Sequence, residues 1–132
     1  MELTEFIKIH FDADNNPDGV RVTLGDEDFI IALHDSFDGK EKTWNKAMEA
    51  LSKKGQTMFS KKQGYLIAAY TDEINAALKL AGGEPLSGWY WTSTELSVTY
   101  AWIMYFGSGF VYSYNKTSNS FIARPVAVVT NP

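Results

Sequence analysis

The sequence predicts an α+β domain in which two helices pack on a small, mainly antiparallel sheet. Three observations predict it. Strand-like runs occupy residues 6–33, helical apolar stripes occupy residues 43–81, and period-two aromatic runs separated by Gly or polar turns fill residues 88–129. Strands at both ends with helices between them describe helices segregated from an antiparallel sheet. The chain of 132 residues is long enough for one domain with its own core. It divides into N-terminal strands (1–40), a helical region (41–83) and a closing block of strands and loops (86–130).

Taken in order, residues 6–11 (Phe-Ile-Lys-Ile-His-Phe) read as a strand, residues 12–19 as a turn and residues 20–24 as a second strand. Asp14, Asn16, Asp18 and Gly19 match the opening of a calcium loop, but its twelfth position, which calls for a bidentate Glu, falls on Gly25. An acidic hairpin turn is therefore the expectation. Residues 29–33 form a continuous apolar run, short enough for a buried strand. Thr43 is placed to cap a helix with its hydroxyl, and Trp44, Ala47, Met48 and Leu51 fall on one stripe. Lys53-Lys54-Gly55 ends it, with cations at the negative end of the dipole. A second helical region runs over residues 61–81, with Ile74, Ala77, Leu78 and Ala81 on its stripe. Gly82-Gly83 and Pro85 stop it, and Gly64 or Thr71-Asp72 are points where it can divide.

In the closing block, Trp102, Met104 and Phe106 alternate with Ile103 and Tyr105, which predicts a strand with the first set on the core. Gly107-Ser108-Gly109 is a turn, residues 110–114 the returning strand, residues 115–120 a polar turn, and residues 121–129 a closing strand of the same meander. Trp44, Trp91, Trp102 and Phe106 are expected in the core.

Composition narrows function. A net charge of −4 lacks the basic face that nucleic acid requires. Without cysteine there is no disulfide, no thiolate nucleophile and no Cys-based zinc site. No apolar run reaches membrane-spanning length, and residues 1–5 lack the basic-then-apolar plan of a signal peptide. The expectation is a chain that is cytoplasmic when made. His10 and His34 are the only histidines and have no helical spacing to a second, so no metal motif forms. No G-x-S-x-G elbow surrounds any serine.

Residues 86–125 are different. They hold eleven of the nineteen aromatic residues and thirteen Ser, Thr or Asn, but only three charges, Glu95, Lys116 and Arg124. Rigid aromatics interleaved with small hydrogen-bonding residues are the composition of a recognition surface. Residues out of phase with the core, or in turns, are the candidates for its face: Ser97, Thr99, Tyr100, Ile103, Tyr105, Ser108, Phe110, Tyr112, Tyr114, Asn115, Ser118 and Asn119, flanked by Leu96 and Phe121. Glu95 is read as an anchor for loop backbone, partnered by Arg124.

The order Tyr90-Trp91-Thr92-Ser93-Thr94-Glu95, Ala101-Trp102, Gly107-Ser108-Gly109, Lys116 and Arg124-Pro125-Val126 resembles the C-terminal half of C-type-lectin-like domains. The similarity is to those of bacterial collagen-like adhesins and to the variable proteins that retroelements diversify in phages and bacteria. The segments 43–48 and 72–91 extend it back to about Trp44, and residues 1–40 carry none of it. The resemblance implies a C-type-lectin-like fold with no enzymatic activity and no cofactor. It implies a ligand face on residues 96–121 for a cell-surface protein or glycan, and a homo-oligomer, since phage members are often trimers. In relatives diversified by retroelements the variable positions are commonly Tyr, Ser, Asn, Asp or Ile, types that recur among the candidates. The formylglycine-generating enzymes share the fold but need cysteines, which are absent here. Calcium-dependent sugar binding is unsupported, because Glu84-Pro85 is followed by Leu86 instead of a coordinating residue. The alternative is a structural protein of a phage-like particle that uses the same face for subunit contacts.

Overall fold

A computed structural model describes residues 5–129. The opening residues 1–4, on which the signal-peptide expectation largely rests, lie outside the described residues. The chain runs β1 (Ile7–Phe11), β2 (Pro17–Leu24), β3 (Glu27–Ala32), a 3-10 turn (Ser36–Gly39), α1 (Trp44–Ser52), β4 (Thr57–Met58), α2 (Lys61–Ala69), α3 (Thr71–Leu80), β5 (Gly88–Glu95), β6 (Tyr100–Phe106), β7 (Val111–Asn115) and β8 (Pro125–Val128). The class is α+β as expected, with three helices and two antiparallel sheets in place of two helices and one sheet.

The five-stranded sheet has the order β1-β2-β3-β8-β4, and the three-stranded sheet the order β5-β6-β7. The closing strand therefore does not extend the meander. It crosses to the other sheet and pairs with β3, Phe29 opposite Val128 and Ile31 opposite Val126, and with the short β4 on its far side. Its β-branched side chains find a buried partner there: Val126 joins Phe29 and Ile31 in the core. Only residues 125–128 belong to the strand. Phe121 and Ile122 make isolated bridges to Lys42 and Tyr90.

The extra helix boundary comes from Tyr70, whose backbone leaves the helical region (φ −124°, ψ 31°). The Thr71 hydroxyl donates to the carbonyls of Ile67 and Ala68, which lie at the end of α2. α2 opens on a capping box: the Ser60 hydroxyl accepts from the Gln63 N–H while the Gln63 side chain accepts from the Ser60 N–H. Thr43 occupies the N-cap of α1 in extended conformation, but its hydroxyl makes no capping bond. The first free N–H of α1, from Trp44, is satisfied by the Lys116 carbonyl instead.

Two apolar clusters result. The larger lies between the sheets and under α2 and α3, and contains Ile7, Val22, Phe29, Phe59, Ile74, Leu78, Tyr90, Met104 and Phe106. The smaller lies on the opposite side of the three-stranded sheet, where Trp44, Ala47 and Leu51 of α1 meet Trp91, Ala101 and Ile103. Each fully buried large aliphatic side chain contributes about 1.5–3 kcal/mol to this packing. Gly64 is buried in α2, where a Cβ would stand 2.8 Å from the Met104 sulfur, so glycine lets the helix approach the sheet closely.

Candidate functional site: the aromatic face of the three-stranded sheet

Alternation along β5, β6 and β7 gives the small sheet two faces. Tyr90, Met104 and Phe106 point into the larger cluster. On the other face the register sets Trp89 beside Tyr105, Trp91 and Tyr112 on either side of Ile103, and Tyr114 beside Ala101. Helix α1 covers only part of this face. From the covered part to the open part, the rings form two touching groups. Trp89 contacts Tyr105 (centroids 4.9 Å apart) and Tyr112 (5.6 Å), and Tyr112 contacts Phe110 (6.4 Å). Phe121 packs edge-on against Trp91 (5.0 Å, 89°) and contacts Tyr114 (5.2 Å). Offset and edge-to-face contacts of this kind hold rings in fixed orientation. Tyr112 is 51% exposed, Tyr114 40% and Phe110 58%, although their neighbours are core residues. The result is an aromatic platform with fixed rings and free hydroxyl edges.

The loops around the platform are stiffened by their own polar side chains. The Ser97 hydroxyl accepts from the N–H groups of Thr99 (3.2 Å) and Tyr100 (3.1 Å), closing the β5–β6 loop. The Asn115 side-chain carbonyl accepts from the N–H and hydroxyl of Thr117 and from the N–H of Ser118. Lys116 is buried between these loops. Its ammonium donates to the Val98 carbonyl (3.0 Å), lies 3.5 Å from a Glu95 oxygen and sits 4.5 Å from the centroid of the Trp44 ring.

Not every expected residue reaches the face. Tyr105, Tyr112, Tyr114 and Phe110 do. Ile103 does not: β6 is the central strand, and α1 with Trp91 buries Ile103 in the smaller cluster. Tyr100 is 43% exposed but lies in phase with Trp102 and Met104, on the opposite side of the sheet. Ser97 and Asn115 have a structural part in the loops, and Thr99 and Ser118 are exposed beside them. Asn119 is half-buried and donates to the Asn115 carbonyl at 3.4 Å. Ser108 tips the β6–β7 turn at an open cleft of about 660 Å³ bordered by Tyr65 and Tyr70.

Trp102 corrects another expectation. It is half-exposed, with the Lys61 ammonium 4.2 Å from its ring centroid. Trp89 was missed as a face residue, although it shares the phase of Trp91 and is the hub that links Tyr105 to Tyr112. The period-two pattern of β5 contains that signal.

Glu95 and Arg124 are not partners. Glu95 meets Lys116, while Arg124, with no exposure, donates through Nε to Asp35 (2.7 Å) and through its terminal nitrogens to the carbonyls of Ala32, Glu84 and Pro85. The Tyr90 hydroxyl donates to the same Asp35 oxygen (2.8 Å). Burial, and then the Asp35 charge, push the Tyr90 phenol well above its ordinary pKa of 10.0. This network joins the two sheets beneath the platform.

Chemistry elsewhere is sparse. His10 Nδ1 meets Asp18 at 2.6 Å on the edge of the larger sheet, and His34 Nδ1 lies 3.9 Å from Glu84. Asp12 accepts from the N–H groups of Asp14 and Asn16, which makes the acidic segment a closed turn, as expected. Among the described residues no group of three or more His, Cys, Asp or Glu is gathered as for a metal ion, and no helix is long and apolar enough to cross a membrane. Comparison with models of known protein families and with curated proteins returns no match.

Proposed function

We propose that this chain is a C-type-lectin-like recognition domain, without enzymatic activity, that binds a cell-surface protein or glycan through the aromatic platform. One observation carries the reading. Tyr112, Tyr114 and Phe110 are held by neighbouring rings at fixed angles, yet their outer surfaces are open, and Tyr105 stands half-buried beside them. Tyrosines in this state offer large contact area at little entropy cost. Residues 100–115 carry no charged side chain, so the ligand surface that fits is neutral and amphipathic. The likeness to adhesin and retroelement-diversified domains, in residues 90–126, supports the same reading.

The test compares three proteins on a glycan array and on intact bacterial cells: the wild type, the triple variant Tyr105→Ser/Tyr112→Ser/Tyr114→Ser, and Tyr100→Ser as an opposite-face control. Anchoring aromatics each cost about 2 kcal/mol on truncation, roughly 30-fold in affinity. The triple variant is expected to lose binding while Tyr100→Ser keeps it. Binding retained by the triple variant, or lost only in Tyr100→Ser, would refute the assignment of the face.

A further inference from the structure

The outer edge of β7 is an open strand edge. Two hydrogen bonds fix its orientation: Tyr105 N–H donates to the Phe110 carbonyl and Lys116 N–H to the Thr99 carbonyl. In an antiparallel ladder the residues that exchange bonds with a neighbour recur every second position. Residues 112 and 114 therefore direct their backbone groups to β6, and Val111, Ser113 and Asn115 direct theirs away from it. Among the described residues, β7 is the last strand of its sheet, with β6 as its sole strand neighbour, and the N–H groups of Val111 and Ser113 have no other backbone partner.

Natural edges are usually protected by a Lys, a Pro or a bulge. The strand Val-Tyr-Ser-Tyr-Asn has neither a charge nor a proline, and its pairing to β6 has no register shift. It is also self-complementary. Around a two-fold axis at Ser113, an antiparallel copy places Val111 opposite Asn115 and Ser113 opposite itself, so the outward N–H and C=O groups meet in pairs. The Asn115 carbonyl, which already accepts from Asn119, keeps a second lone pair for this. On the platform side the same register puts Tyr112 beside Tyr114 of the second copy, which continues the aromatic rows across the junction. An uncharged strand meets its own copy without charge repulsion between its own side chains.

We propose that β7 pairs with β7 of a second copy of this chain, forming a six-stranded sheet and joining two aromatic platforms into one bivalent surface. A five-residue edge makes a small interface, so the dimer is weak and concentration-dependent, and its value to binding is avidity.

Sedimentation velocity over a wide concentration range, with residue-resolved amide exchange by NMR, tests this. The expected result is a monomer–dimer equilibrium in which the Val111, Ser113 and Asn115 amides become protected as concentration rises. Ser113→Pro removes an outward N–H without touching the β6 ladder and is expected to stay monomeric. Should that variant fail to fold, Ser113→Lys sets two like charges at the axis and is expected to abolish the dimer in the same way. A wild type that stays monomeric, a dimer whose residue 111 and 113 amides exchange at the monomer's rate, or a dimer that persists in the folded variant would overturn the proposal.

Discussion

Replacing Arg124 by Met should destabilise the domain more than any change on the platform. Arg124 is fully buried, and the Asp35 side chain it holds at 2.7 Å is 12% exposed. Met keeps the length and apolar stem but removes the charge. Asp35 would then be a buried carboxylate with the Tyr90 hydroxyl as its remaining side-chain donor, and the carbonyls of Ala32 and Glu84 would lose bonds of 3.0 and 3.1 Å. Removing one partner of a buried pair costs about 3–5 kcal/mol because the other charge stays behind. That is a large part of a total stability of about 5–15 kcal/mol. With a urea slope of about 1–3 kcal/mol per molar, the unfolding midpoint falls by about 2 M. Asp35→Leu should cost a similar amount by stranding the guanidinium. The double variant Arg124→Met/Asp35→Leu leaves no charge unpaired and should cost less than the two singles together, by about 2–3 kcal/mol. Urea titrations followed by tryptophan fluorescence and circular dichroism measure all three. An Arg124→Met loss below about 1 kcal/mol, or strict additivity in the double variant, would refute the reasoning.

Three further outcomes follow from the same geometry. The native Tyr90 phenol stays protonated above pH 10.0, where an unfolded tyrosine ionises, so its contribution is complete below that pH and is lost as pH rises beyond it; Tyr90→Phe should flatten the alkaline fall in stability measured by urea titration. Gly19→Ala would set a Cβ 2.5 Å from the Ile30 Cγ2 and 2.6 Å from the Ile31 carbonyl oxygen. The backbone contact cannot move aside, and a loss of about 1–3 kcal/mol is expected in thermal unfolding. Lys116→Met should cost about 2 kcal/mol, through the lost bond to the Val98 carbonyl and the contact with Trp44, with little from the half-exposed Glu95. Limited proteolysis should then cut first within residues 96–99.

What the sequence determined by itself is local. The stripe Trp44, Ala47, Leu51 foretells the buried side of α1, and Ile74, Ala77, Leu78 that of α3, because helical spacing places such residues on one face whatever they pack against. Gly107-Ser108-Gly109 and the polar segment after residue 115 foretell turns, because chain reversal depends on a few residues. Tyr105, Tyr112 and Tyr114 were legible as a face for the same reason, as period two holds within each strand. The tertiary structure decided the rest. Ile103 and Tyr105 share a phase, but α1 covers one and stops short of the other, and no pattern within β6 encodes where a distant helix ends. Trp102 shares the phase of Met104 but lies nearer the strand's open end, where Lys61 replaces the core. The residues after 120 look like a fourth meander strand, yet the free edge of β3 comes with buried apolar partners, Phe29 and Ile31, that the edge of β7 lacks. Arg124 met Asp35 instead of Glu95 because that crossing carries it beneath the platform, between two sheets. Burial and partner choice are sums over contacts distant in sequence, and only the assembled fold contains them.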